Sequence, residues 1–101
     1  MKLPRYELDD KVLIELARAY NVKQLYLFGS VLREDFTDES DIDIMVVFET
    51  GTAYSYFDLF DFRERLQQLF KRRIDLIEKD GLLNPFRRSE ILSTARLIYA
   101  A

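Results

Sequence analysis

The stretch spanning residues 25–48 constrains most strongly what this chain can fold into. It begins with a short apolar run, residues 25–28, which is followed at once by Gly29 and Ser30. A second apolar run opens with Asp41 and Asp43 on either side of one isoleucine and ends at Phe48. Apolar runs of this length, bounded by turn residues, predict buried strands. The stretch therefore predicts two strands joined by a sharp turn and a polar loop.

The two aspartates of the second run are predicted to share one face of the sheet. Side chains along a strand alternate between faces, so Asp41 and Asp43 lie together, opposite Ile42, Ile44 and Val46. Their Cα atoms would be about 6.5–7 Å apart, close enough for both carboxylates to bind one metal ion or to bridge two. The alternative is a pair of solvated or capping acids. Against it, carboxylates beside apolar groups are costly unless a cation compensates them.

Gly29 and Ser30 predict a turn that exposes backbone N–H groups. Glycine adopts backbone angles that other residues avoid, and Ser30 is a suitable N-cap for a short helix after it. Free N–H groups at a helix start suit a phosphate. A plain turn with an N-cap remains the alternative for this pair taken alone. Metal ligands and a phosphate cradle in one short unit together indicate phosphoryl or nucleotidyl transfer.

Composition limits the chemistry available to the chain. With 101 residues, of which 49% are hydrophobic, we expect one packed domain. The net charge is −3, so no broad nucleic-acid surface is expected. Cysteine and histidine are absent, so a metal site must use oxygen ligands, which favours Mg²⁺ or Mn²⁺. The first residues lack an apolar signal region and no apolar run is long enough to cross a membrane, so we expect a cytoplasmic location.

A third strand, at residues 73–78, contributes a further acid. Asp75 lies between Ile74 and Leu76 and therefore points to the opposite face. If this strand lies beside the second one, Asp75 faces Asp41 and Asp43 and completes a set of three carboxylates. An ion pair with Arg72 or Arg73 is the alternative.

Three helices are predicted around these strands, at about residues 8–20, 54–71 and 85–99. Asn84 and Pro85 are a typical N-cap and first residue of the last helix. The apolar residues expected to face inward in the second helix are Phe57, Phe60, Leu66, Leu69 and Phe70, and in the last helix Phe86, Ile91, Leu92, Ala95, Ile98 and Tyr99. Tyr54, Tyr56 and Phe62 widen the stripe of the second helix, which leaves both core packing and a partner interface open.

The motifs together resemble a known superfamily. Gly29-Ser30, ten intervening residues and Asp41-Ile42-Asp43 match the signature of the DNA polymerase β-like nucleotidyltransferases, and the strand around Asp75 matches its third acid. The size of the chain and its last segment resemble the minimal nucleotidyltransferases (MNT), the MntA-like antitoxins of HEPN/MNT toxin–antitoxin pairs. The resemblance covers nearly the whole chain.

This resemblance implies an α/β (α+β) fold, a mixed sheet of three or more strands flanked by helices. It also implies transfer of AMP from ATP with two Mg²⁺ ions, or Mn²⁺, held by Asp41, Asp43 and Asp75 as catalytic metal ligands. Asp75 would serve the metal that activates the acceptor, and Gly29 and Ser30 would hold the triphosphate. The implied acceptor is a tyrosine hydroxyl of a cognate HEPN toxin, a small helical RNase.

Two other functions remain open at this point. The chain could mask its partner by binding alone, or it could be the nucleotide-binding subunit of an enzyme that modifies a small molecule. The absence of a second domain for a drug, an RNA or a primer favours an acceptor on a partner protein. A homo-oligomer is also possible.

Overall fold

The computed structural model describes residues 2–3, 6–32, 37 and 39–101, without the side chains of residues 2, 3, 6, 7 and 30. Its strands are β1 (Lys2–Leu3), β2 (Tyr6–Glu7), β3 (Val22–Phe28), β4 (Ile42–Phe48), β5 (Ile74–Glu78) and β6 (Arg96–Ala100). Its α-helices are α1 (Asp10–Ala19), α2 (Tyr56–Phe70) and α3 (Pro85–Thr94), and two 3-10 turns span Gly29–Leu32 and Lys79–Gly81. None of the described helices is long and apolar enough to cross a membrane.

The main sheet has four strands in the order β5-β4-β3-β6. β3 pairs antiparallel with β4 and with β6, whereas β4 pairs in parallel with β5. β1 and β2 form a separate two-stranded sheet. The mixed sheet flanked by helices that the sequence predicted is confirmed.

The two faces of the sheet carry different helices. On one face, α1 and α2 pack over a core that includes Leu25, Leu27, Ile42 and Ile44. On the other face, α3 packs through Ile91 against a smaller cluster of Phe28, Met45 and Leu82. Because alternate residues of a strand share a face, Asp43 and Asp75 lie on the face that carries α3.

Local capping contacts set the ends of the helices, and the predicted cap of α3 at Asn84 is among them. Asp9 caps α1, accepting a hydrogen bond from the Lys11 amide at 3.0 Å, and Asn21 after its end is left-handed with φ 57°. Ser55 and Asp58 form a capping box at the start of α2. At the start of α3, the Asn84 side chain accepts from two amides and proline follows at the first position.

The inward face of α2 differs from the predicted stripe. Its buried residues are Phe62, Leu66 and Phe70. Phe57 and Phe60, predicted to face the core, are 84% and 56% exposed. The reason lies in helical spacing, since Phe57 shares its side of the helix with Asp61 and Arg65, whose charges favour solvent.

The predicted last helix is also wrong beyond Thr94. Ala95 is extended, with ψ 141°, and residues 96–100 form β6 along the edge of β3. This pairing satisfies backbone groups of β3 that a continued helix would leave without partners. Tyr99 is buried as predicted, whereas Phe86 is 84% exposed.

Truncation of two aromatic residues of α2 tests this orientation. Phe62→Ala should lower the free energy of unfolding by about 3–5 kcal/mol, because Phe62 is fully buried in the main core. Phe57→Ala should change it by no more than about 0.5 kcal/mol. Urea denaturation followed by circular dichroism measures both, and similar losses in the two variants would contradict the orientation.

Candidate active site

The end of β3 and the beginnings of β4 and β5 lie side by side at one end of the strands. Asp43 is paired with Phe28 on one side and with Asp75 on the other. Neighbouring strands lie about 4.8 Å apart, so the Asp43 and Asp75 backbones are in direct proximity. Gly29 follows Phe28, and Asp41 precedes Asp43 by two residues. We call Gly29, Asp41, Asp43 and Asp75 the acidic edge, and the predicted adjacency of the third acid is confirmed.

Gly29 lies directly beneath the Asp43 carboxyl group. A Cβ atom built on Gly29 would be 3.2 Å from Cγ and 3.5 Å from Cβ of Asp43, and closer to Oδ2 than real Cβ atoms approach. Gly29 also has φ 74°, in the left-handed region. Glycine is therefore required here on two independent grounds, backbone conformation and space for the carboxylate.

The loop that leads to Asp41 is fastened by Arg72. The Nη1 atom of Arg72 donates to the carbonyl oxygens of Thr37 and Ser40, at 2.9 and 3.0 Å. The amide of Ile42 donates to the Arg73 carbonyl at 2.9 Å, which joins the starts of β4 and β5. Within the described part of the chain, Asp75 has no ion pair with Arg72 or Arg73, so the alternative role considered for it is not observed.

The carboxylates of the acidic edge fit a hard cation by donor type and by backbone position. Asp41 and Asp75 are exposed and Asp43 is half-buried, and all three offer oxygen ligands of the kind that Mg²⁺ prefers. As the side chains stand, the described residues contain no group of three or more acids arranged to hold a metal ion. Asp75 is exposed, so its side chain has room to turn towards Asp43. The assignment of these residues as metal ligands thus stays a prediction.

A cavity of about 590 Å³ opens between the Gly29 turn and α3. Its lining consists of Phe28, Gly29, Leu32, Arg87, Glu90, Ile91 and Thr94. Because Arg96 of β6 pairs with Leu27, α3 ends beside the last residues of β3. The cavity therefore adjoins the acidic edge on the side of Gly29 and combines an apolar floor with one cation and one acid.

The α3 side of this cavity has no signature in the sequence that predicts a site. Arg87, Glu90 and Thr94 recur at intervals of three and four residues, which indicates one side of a helix but not what that side faces. The predicted role of the Ser30 side chain lies outside the described residues; its backbone is part of the Gly29–Leu32 turn.

Elsewhere in the molecule, one acid has a perturbed titration. Burial, and after it the charge of Asp80, raise the pKa of Glu78 above its ordinary value. Glu78 ends β5, at the opposite end of the sheet from the acidic edge. The shift reports local packing there and does not bear on the three aspartates.

Residues 11–101 match the family model described as polymerase beta, nucleotidyltransferase. Among curated proteins, the chain is 39% identical over 72 residues to a Methanocaldococcus jannaschii protein inferred to be a protein adenylyltransferase, covering 71% of this chain and 72% of that one. It is 34% identical over 68 residues to the protein adenylyltransferase MntA of Thermococcus cleftensis, covering 67% of each.

Solved structures share the fold. A crystal structure of a toxin–antitoxin with AMP-PNP has a TM-score of 0.72 at 19% identity, covering 93% of this chain and 75% of that one. A tri-AMPylated Shewanella oneidensis HEPN toxin in complex with MNT antitoxin gives a TM-score of 0.63 at 17% identity, covering 91% of this chain and 70% of that one. At these identities the likeness establishes the fold.

A double-mutant cycle tests the contact between Gly29 and Asp43. Gly29→Ala should destabilise the fold by more than the roughly 1–2 kcal/mol of left-handed strain, because the added methyl group meets the carboxylate. In an Asp43→Ala background the same change should cost less, by at least about 0.5 kcal/mol.

Gly51→Ala is the matched control for this cycle. Gly51 has φ 81° but no atom within 4 Å of a Cβ position, so its substitution should cost the strain alone in both backgrounds. Thermal unfolding measures all the variants. A Gly29→Ala cost that does not depend on residue 43 would contradict the contact.

Proposed function

Since the chain belongs to the polymerase β nucleotidyltransferase family, we propose that it transfers AMP from ATP to a tyrosine hydroxyl of a HEPN-type toxin and so acts as an antitoxin in the cytoplasm. The observation that carries the proposal is the position of Asp43, paired with Asp75 and packed over the bare backbone of Gly29. The similarity to protein adenylyltransferases and to the fold of MNT–HEPN complexes supports the nucleotide and the partner.

The proposed nucleotide site is the cavity beside Gly29. Its volume of about 590 Å³ lies in the range of small-molecule sites, about 300–1,000 Å³. The triphosphate would lie along the Gly29 turn, where the absence of a side chain lets backbone N–H groups approach it. Arg87 supplies a positive charge on the opposite wall, and Phe28 and Ile91 offer apolar surface to the base.

The proposed metal ligands are Asp41, Asp43 and Asp75. When bound there, two Mg²⁺ ions, or Mn²⁺, would acidify the acceptor hydroxyl and offset the charge of the leaving pyrophosphate. Asp43, between the other two positions, would serve both the nucleotide side and the acceptor side. Asp75, on the exposed edge strand, would orient the acceptor.

The reaction balances without any further co-reactant. The acceptor oxygen forms a bond to the α-phosphorus of ATP, and the bond from that phosphorus to the bridging oxygen of the β-phosphate breaks. Pyrophosphate leaves with the electron pair of the broken bond, and the hydroxyl proton passes to solvent. The acceptor gains one AMP group for each ATP consumed.

Masking of a partner by binding alone is the second candidate function, and the exposed aromatic residues of α2 favour an interface. An enzyme whose acceptor is a protein also needs such an interface, so the exposed aromatic residues do not distinguish masking from AMP transfer. The Gly29 turn beneath the Asp43 carboxylate supports the transferase, because masking alone does not need an open backbone beside an acid.

Mass spectrometry of the partner tests the reaction. With ATP and Mg²⁺, the intact toxin should gain AMP mass units and pyrophosphate should appear. Asp43→Asn should abolish the gain, whereas Asp75→Asn should block transfer and leave ATP binding nearly intact, because Asp75 is proposed to act on the acceptor side.

Glu15→Gln, which removes a charge from the exposed side of α1, is the control and should transfer AMP normally. An unmodified partner, in a stable complex with the unaltered protein under the same conditions, would replace the transferase proposal by masking.

A further inference from the structure

The outer side of α2 carries an apolar patch that the fold does not use. Tyr56 and Phe57 are 88% and 84% exposed, and Phe60 is 56% exposed. Tyr56 and Phe60, together with Leu76 of β5, border a shallow hollow of about 190 Å³. Large aromatic side chains presented side by side on one helix are typical of protein interfaces.

Tyr54, which by its sequence position could belong to this patch, packs within the fold instead. Its ring stacks on Phe48 at a centroid distance of 4.1 Å, and its hydroxyl donates to the Glu78 carboxylate. These two contacts anchor the segment that leads into α2. Tyr56, Phe57 and Phe60 are therefore the members of the patch available to a partner.

A basic groove lies farther along the same helix, towards its C-terminal end. Its volume is about 570 Å³, and the residues that line it are Arg63, Gln67, Lys71, Arg72 and Arg73. Four of these described lining residues are cations and none is an acid, on a chain whose net charge is −3. This separation of charge exceeds what a helix C-terminus alone requires, because Arg73 lies beyond the helix.

Arg63 joins the apolar patch to the basic groove, since it borders both hollows. Its guanidinium lies over the Phe60 ring, 5.0 Å from the centroid, and forms an ion pair with Glu64 at 3.6 Å. Its Nε atom is buried with no hydrogen-bond partner within the described structure. The Arg63 side chain as a whole is 39% exposed between an aromatic surface and a basic surface, so its outer guanidinium nitrogens can meet an incoming carboxylate.

The groove leads to the acidic edge. Arg73 accepts a hydrogen bond from Ile42 and precedes Ile74 and Asp75 at the start of β5. β5 is an edge strand of the sheet, and Asp75 is exposed. A molecule that lies along α2 and its basic end therefore reaches the side of the acidic edge opposite the Gly29 turn.

We propose that the patch of Tyr56, Phe57 and Phe60 and the groove of Arg63, Lys71 and Arg73 form the docking surface for the acceptor protein, which presents acidic and apolar side chains around its modified hydroxyl. The inference rests on the proposed function for the identity of the acceptor. It adds the route of approach: the nucleotide binds on the Gly29 side of Asp43 and the acceptor arrives across the β5 edge.

A protein with carboxylates suits this surface better than a nucleic acid, because the chain's net charge of −3 opposes an extended polyanion. The cations of the groove stand beside an exposed aromatic patch, and an acidic segment with apolar side chains complements both parts. The triphosphate needs none of these residues, because the proposed nucleotide cavity lies on the other face of the sheet. Electrostatic complementarity of this kind also makes binding weaken with added salt.

Two labelled copolymers test the surface and do not require the natural acceptor. Fluorescence anisotropy compares a glutamate–tyrosine copolymer with a lysine–tyrosine copolymer in the absence of ATP. The acidic copolymer should bind at least about tenfold more tightly than the basic one. A few exposed ion pairs together contribute a binding free energy of that size. Arg73→Glu and Phe57→Ser should each weaken its binding severalfold.

Matched controls separate the surface from general charge and hydrophobicity. Arg18→Glu on α1 makes the same change in net charge as Arg73→Glu, and Phe86→Ser removes an aromatic ring that is likewise 84% exposed. Both should bind the acidic copolymer normally. Equal loss in the controls, equal affinity for the two copolymers, or tighter binding of an oligouridylate RNA than of the acidic copolymer would each overturn the proposal.

Transfer of AMP to the copolymer provides a separate readout for the chemistry. Selective binding that depends on Arg73 and Phe57, without AMP incorporation, would retain the docking surface and count against the proposed reaction. Incorporation that is unaffected by Arg73→Glu and Phe57→Ser would retain the reaction and overturn the docking surface.

Discussion

The site depends on the pairing of β4 with two neighbours of opposite direction. The antiparallel ladder with β3 brings Gly29 beside Asp43, and the parallel ladder with β5 brings Asp75 to its other side. These ladders consist of backbone hydrogen bonds and are held by the buried residues of both faces. A shift of β4 by one residue would turn Asp43 into the core and Ile42 and Ile44 out of it, so burial of the isoleucines fixes the position of the acid.

This central strand divides the molecule into two functional sides. On the β3 side, the Gly29 turn and α3 border a cavity with an apolar floor, one arginine and one glutamate. On the β5 side, the sheet ends, and α2 presents exposed aromatic rings followed by a basic groove. The proposed reaction between a nucleotide and a protein hydroxyl needs a site for each, and these two sides of the fold are the candidates for them.

The parts that sequence alone predicted are those governed by local patterns. Alternation along the second predicted strand placed Asp41 and Asp43 opposite the isoleucines, and Asn84 with Pro85 marked the start of α3. The buried face of α2 could not be predicted correctly, because aromatic residues occupy several sides of this helix. In the sequence, an exposed aromatic residue that could bind a partner looks the same as one that packs in the core. β6 was missed because its pairing with β3 is a contact between distant parts of the chain. The α3 wall of the cavity was missed for the same reason, since it depends on how α3 packs on the sheet.

Paramagnetic broadening by Mn²⁺ tests most directly whether the acidic edge binds a metal–nucleotide complex. In a ¹⁵N-labelled sample with a non-hydrolysable ATP analogue, substoichiometric Mn²⁺ should broaden the amide signals of Gly29, Asp43 and Asp75 first. The signals of Gly51 and Asp80, at the opposite end of the sheet, should remain sharp, and Asp43→Asn should remove the effect. Broadening centred on another cluster of acids, or equal broadening at both ends of the sheet, would contradict this account.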